Sequence, residues 1–105
     1  MNTVKYEKVN DTVQAIFFEN GSHEMGFGIE KGSAVVFVWE SHKIGIDMLA
    51  KPSDLPLQWL LKVLETNIGL LKDDEKFGLG TPLGSIFGFS KRDLQDLLNF
   101  LKANR

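Results

Sequence analysis

From Glu24 to Leu49 the chain alternates. Met25, Phe27 and Ile29 are separated by Glu24, Gly26, Gly28 and Glu30, the two-residue period that sends successive side chains to opposite faces of a pleated strand. Lys31-Gly32 then reads as a two-residue hairpin loop, because glycine accepts the positive φ such turns need. That loop pairs Glu30 with Ser33, Gly28 with Val35, Phe27 with Val36 and Gly26 with Phe37. A three-residue turn at Glu40 to His42 pairs Val38 with Ile44 and Phe37 with Gly45, so this stretch predicts three consecutive strands.

Two more strands precede them. Thr3 to Val9 and Thr12 to Phe18 flank Asn10-Asp11, residues that tolerate left-handed backbone and mark a tight hairpin. Pairing Val9 with Thr12 sets Val4 opposite Phe17 and Tyr6 opposite Ala15. A three-residue loop within Glu19 to His23 aligns Phe17 with Met25 and Ala15 with Phe27. A two-residue Asn20-Gly21 loop would instead bring Gln14 onto the apolar face, since a one-residue slip exchanges the faces. The three-residue loop is therefore preferred.

With these registers one face carries Met25, Phe27, Ile29, Ala34, Val36, Val38, Ile44, Ile46 and Met48, a core surface. The other face is unusual. Ile16, Phe18, Val35, Phe37 and Trp39 form its apolar centre, beside Gly26, Gly28 and Gly45, with Lys5, Glu7, Gln14, Lys43, Glu24, Glu30 and Asp47 around it. The glycines let Phe37 lie flat across its neighbours, or let another backbone come close.

The period then changes. Leu57, Leu60, Leu61, Leu64 and Ile68 recur at three- and four-residue spacing, widened by Trp59 and Val63, and predict a buried amphipathic helix. Ser53 or Asp54 is the expected N-cap, with Pro56 in the opening turn and Gly69 near the end. Ser90 starts a second helix with Asp93 three residues on. Its stripe is Leu94, Leu97, Leu98 and Leu101, and Lys102 and Arg105 suit its C-terminus. Between the helices, Lys72 to Lys76 is a charged connection. Phe77 to Phe89 is apolar and glycine-rich, long enough to hide a short strand near Ser85 to Phe89. The fold class expected is α+β: a five-stranded antiparallel β-meander, in order 1-2-3-4-5, followed by two C-terminal helices packed on one face.

Composition narrows the function classes. The 105 residues suit one domain, spanning 1–105, that buries about 65% of its unfolded surface. A net charge of −2 with interspersed signs gives no electrostatic footprint for nucleic acid. With no cysteine there is no disulfide and no thiolate metal site. The first residues, MNTVKYEKVN, lack the apolar run of a signal peptide, and no stretch reaches the ~18 apolar residues of a membrane span. The expectation is a cytoplasmic protein without nucleic-acid or membrane partners.

Catalytic constellations are weak. His23 and His42 sit in turns that the meander places at one edge, permitting a small metal or acid–base site, although turn histidines are ordinarily just solvated. Gly78 to Gly84 lacks the lysine and the Ser/Thr ending of a P-loop, and Pro82 removes a backbone donor. Asp73, Asp74 and Glu75 are adjacent acids that do not converge on one point. No catalytic residue, cofactor or metal is therefore expected.

The apolar centre with a charged rim has the anatomy of an interaction surface. The expected function is a small non-enzymatic protein-binding module: by analogy of size and character, a toxin-neutralising immunity protein or inhibitor that covers a basic, nuclease-type active site. Its interface residues would be Ile16, Phe18, Glu24, Glu30, Val35, Phe37, Trp39 and Asp47, aided by Asp73, Asp74 and Glu75. Two alternatives stand beside it: a ligand-binding or catalytic domain with a pocket near the Gly-rich loop and the turn histidines, and a homodimer that uses the outer face.

Overall fold

The computed structural model of the chain describes residues 3–9, 11–20, 23–42, 53–80 and 86–105. Strands β1 (Thr3–Lys8), β2 (Val13–Asn20), β3 (His23–Glu30), β4 (Val35–His42) and β5 (Ser53–Pro56) form one antiparallel sheet in the order β1-β2-β3-β4-β5. Helix α1 (Leu57–Leu70) follows, then a separate hairpin of β6 (Lys76–Gly80) and β7 (Ile86–Ser90), then helix α2 (Lys91–Asn104). The α+β fold expected from the sequence is the one observed, with the hairpin added between the helices.

Registers decide which side chains meet the helices. In β1–β2 Val4 pairs with Phe18 and Tyr6 with Ile16; in β2–β3 Ile16 pairs with Phe27 and Phe18 with Met25. Both pairings lie one residue from those expected: Val9 bonds Val13 and leaves three residues, not two, between β1 and β2, and Asn20 pairs with His23 and leaves two residues, not three, between β2 and β3. A one-residue slip turns a strand over. Ile16 and Phe18 are thus fully buried in the core, and Ala15 and Phe17 occupy the outer face instead.

The β3–β4 pairing differs from expectation by two residues: Ile29 pairs with Val36, Phe27 with Val38, Gly28 with Phe37 and Gly26 with Trp39. An even slip keeps the faces, so Met25, Phe27, Ile29, Val36 and Val38 remain core. Four residues, Lys31 to Ala34, make the connection. The Ser33 N–H donates to the Glu30 carbonyl at 2.9 Å, Gly32 takes a φ of 83°, and Ser33 Oγ accepts from the Val35 N–H at 3.1 Å. Ala34, expected in the core, is exposed in this turn.

Residues 44–48, expected as the fifth strand, lie outside the described residues, but their expected Val38–Ile44 and Phe37–Gly45 pairs are overturned. With Phe27 and Gly28 on one side, Val38 and Phe37 pair on the other with Ser53 and Asp54. The outer edge of β4 from Val35 to Val38 is paired with Ser53–Pro56. Ser53 and Asp54 are therefore strand residues rather than N-caps. Pro56 closes this edge strand, where a missing N–H is harmless, and is the extended N-cap residue of α1 without a side-chain bond. The Leu57 N–H donates to Ala34 O at 2.9 Å, so the β3–β4 turn satisfies one of the donors that a helix start leaves open.

Leu57, Leu60, Leu61 and Leu64 of α1 are buried, as their spacing requires, whereas Trp59 lies outside the stripe and is 47% exposed. Gly69 falls inside the helix, which ends where the Leu71 N–H bonds Asn67 O. Helix α2 has the expected start: Ser90 Oγ accepts from the Asp93 N–H at 3.1 Å, and Asp93 Oδ2 accepts from the Ser90 N–H at 2.9 Å. Leu94, Leu97, Leu98, Phe100 and Leu101 face inward. Phe89 of β7 sits among them, edge-on to Phe18 at 5.3 Å between ring centroids.

The residues that the five-stranded sheet gives to this core belong to one side of it: Ile16, Phe18, Met25, Phe27, Ile29, Val36, Val38 and Leu55. Each fully buried Ile, Leu or Phe contributes about 1.5–3 kcal/mol by leaving water. Both helices are 14 residues long, and none among the described residues is long and apolar enough to cross a membrane.

Candidate functional site: the outer face of the sheet

Strand alternation fixes what the other side presents. Lys5 and Glu7 come from β1, Phe17 and Glu19 from β2, Glu24 and Glu30 from β3, Phe37 and Trp39 from β4, and Asp54 from β5. Across the middle runs a row of three rings. Phe17 and Trp39 stack with centroids 6.2 Å apart and 17° between planes; Trp39 and Phe37 follow at 6.4 Å and 34°.

Gly26 and Gly28 make room for this row. A Cβ on Gly28 would stand 2.4 Å from Trp39 Cη2, and one on Gly26 would stand 2.5 Å from Phe17 Cε1. The sequence pointed to Phe37 as the ring lying over the glycines. The two-residue slip of β4 puts Trp39 there instead, opposite Gly26 and reaching diagonally over Gly28. Phe17 is almost completely covered, whereas Phe37, Trp39 and the neighbouring Val35 are half-buried.

Charge on this face is one-sided. Glu7, Glu19, Glu24, Glu30 and Asp54 share it with a single cation among the described residues, Lys5. The Lys5 Nζ lies 3.4 Å from Glu7 Oε1, 3.6 Å from Glu19 Oε1 and 5.2 Å from the centre of the Phe17 ring. Burial works against the Lys5 charge, but Glu24, Glu7 and Glu19 outweigh it and hold its pKa above the ordinary lysine value. Glu24 is buried opposite Glu19, while Glu30 and Asp54 are exposed.

The structure sorts the residues expected at the site. Val35, Phe37, Trp39, Glu24 and Glu30 share the outer face. Ile16 and Phe18 do not: they face the helices, for the register reason given above. Asp47 is outside the described residues. Asp73, Asp74 and Glu75 are not strand residues of this sheet but are exposed in the connection from α1 to β6, where Glu75 Oε1 accepts the Lys72 N–H at 3.0 Å and closes a local turn. Sequence reasoning missed Phe17 and Asp54. The signal for Phe17 was present but double-valued, since Val13, Ala15 and Phe17 are as apolar as Ile16 and Phe18.

The ingredients of a catalytic site are sparse. His23 and His42, expected in turns, are strand residues instead, since β4 runs through Glu40, Ser41 and His42. They are backbone partners across β3 and β4, at the one edge where the meander was expected to place them. Among the described residues no group of three or more His, Asp or Glu side chains is assembled to hold a metal. Of the glycine-rich stretch, Gly78 and Gly80 lie on β6 and pair with Gly88 and Ile86, a hairpin ladder rather than a phosphate cradle; 81–85 are outside the described residues. Compared with known proteins, the chain matches no family model, no curated protein and no solved structure.

Proposed function

We propose that this chain is a non-enzymatic, cytoplasmic protein-binding module that docks another protein on the outer face of its sheet, as a toxin-neutralising immunity protein or inhibitor covers a basic active site. One observation carries this reading: Phe37 and Trp39 remain half-buried on the side of the sheet away from the helices, framed by carboxylates. An apolar centre inside a polar rim is how protein interfaces are built, and their energy concentrates in such aromatic anchors. The excess of acid selects a basic partner and speeds its approach. The same acid argues against a symmetric dimer through this face, which would set Glu30 and Asp54 near their own copies.

The test uses the wild-type chain and the F37S/W39S variant as paired baits in extract of the native host. The expected result is a basic protein retained by wild type, lost from the variant, and inhibited when the chain is added back. A partner retained equally by both baits contradicts docking on this face.

A second reading, a small ligand-binding or catalytic domain, is favoured by the pairing of His23 with His42. It requires the two imidazoles to respond together to Zn²⁺ in an NMR titration. Independent titration with pKa values near 6.5 and no response to the metal contradicts it.

A further inference from the structure

Phe17, Trp39 and Phe37 form one row, and its two ends are finished differently. At the Phe17 end the molecule supplies its own cation: Lys5 Nζ lies over the ring while pairing with Glu7 and Glu19. At the other end Phe37 has Gly28 as one cross-strand neighbour and Asp54 as the other, with Glu30 one diagonal step away on β3. Such neighbours stand ~5 Å apart directly and ~7–8 Å diagonally, within reach of one side chain lying on the ring. Glu30 and Asp54 are exposed, and among the described residues neither has an ion pair or a side-chain hydrogen bond. One end thus shows ring, carboxylates and cation together; among the described residues the other has ring and carboxylates only.

We infer that an arginine of the partner completes the second end, its guanidinium lying on Phe37 and Trp39 and bonding to Glu30 and Asp54. A guanidinium fits better than an ammonium, because its plane stacks on aromatic faces and its forked donors reach two carboxylates at once. The inference rests on the docking reading and narrows it to a partner with an arginine at the centre of its contact surface.

The experiment is an NMR titration of the full chain carrying Trp59→Phe, so that the single indole N–H signal is that of Trp39. The probes are capped Gly-Gly-Arg-Gly-Gly and the same peptide with lysine or with a fifth glycine in place of arginine. The arginine peptide is expected to shift the indole signal saturably, the lysine peptide more weakly, and the glycine peptide not at all. Adding E30Q and D54N, both exposed and safe for the fold, should weaken arginine binding about two- to fivefold. No saturable shift, equal response to lysine, or indifference to E30Q/D54N overturns the inference. If the peptides fail while a protein partner still depends on Phe37 and Trp39, only the arginine assignment falls. If the baits fail as well, the docking reading falls with it.

Discussion

Gly26 and Gly28 occupy adjacent outer-face positions on one strand, and Trp39 is close to both, yet a methyl group added to each has a different nearest neighbour. At Gly26 it would strike Phe17, which is covered and has nowhere to go; at Gly28 it would strike Trp39, whose ring is half-exposed and can swing outward. Gly26→Ala is therefore expected to cost about 1–3 kcal/mol in urea unfolding. Gly28→Ala should cost less and shift the Trp39 emission to the red in a Trp59→Phe background. Equal losses would show that both rings are equally confined.

Lys5 offers a test by pH. Its folded pKa lies above the unfolded value of 10.5, so the stability it contributes is fully present below pH 10.5 and is lost as pH rises through the folded value. The stability gap between wild type and Lys5→Met should stay constant from pH 7 to about 10 and close above that range. A gap that closes near neutrality would show that Lys5 is not held by Glu24, Glu7 and Glu19.

At the scale of elements, α2 was the most legible part of the chain, because its cap and stripe are local and reinforce each other. Ser90→Ala removes one side of a reciprocal cap and is expected to cost about 1 kcal/mol. Phe89→Ala deletes a fully buried ring that wedges β7 against Phe18, and should cost about 3–5 kcal/mol. Both losses are to be read by chemical denaturation, and a smaller loss for Phe89→Ala would mean that the hairpin is not anchored there.

Strand β2 was legible as a strand but not in its orientation. Val13, Ala15 and Phe17 alternate with Gln14, Ile16 and Phe18, so hydrophobicity does not say which set faces the core, and one loop residue decides. Here the single polar member, Gln14, misleads: it lies opposite Ile29 on the core-facing side, but near the strand's start, where it stays only half-buried. Strand β3 had no such ambiguity, because glycines and acids occupy its outer positions. The β4 register moved by two residues without harm to the face assignment, which is why Phe37 and Trp39 were placed correctly while the ring over the glycines was not. Strand β5 was hidden because Ser-Asp before proline is also a helix-start pattern, and nothing local separates the two.

For the whole molecule, the described core side chains of both helices, with Phe89 of β7, pack against one side of the five-stranded sheet, and the other side carries the aromatic row of Phe17, Trp39 and Phe37. The site was legible as far as its centre, because apolar residues on an outward-facing strand stand out against glycine and acid. Its edge was not, because Asp54 joins the face only through a pairing between distant segments. That Phe37 and Trp39 belong to a surface rather than to a second core is tested most directly by chemical unfolding of F37S/W39S followed by far-UV circular dichroism. The expected result is a cooperative transition with native helical signal and a loss of about 1–3 kcal/mol. A variant without folded signal in buffer would show that both rings are interior, and would contradict the docking surface on which the proposed function rests.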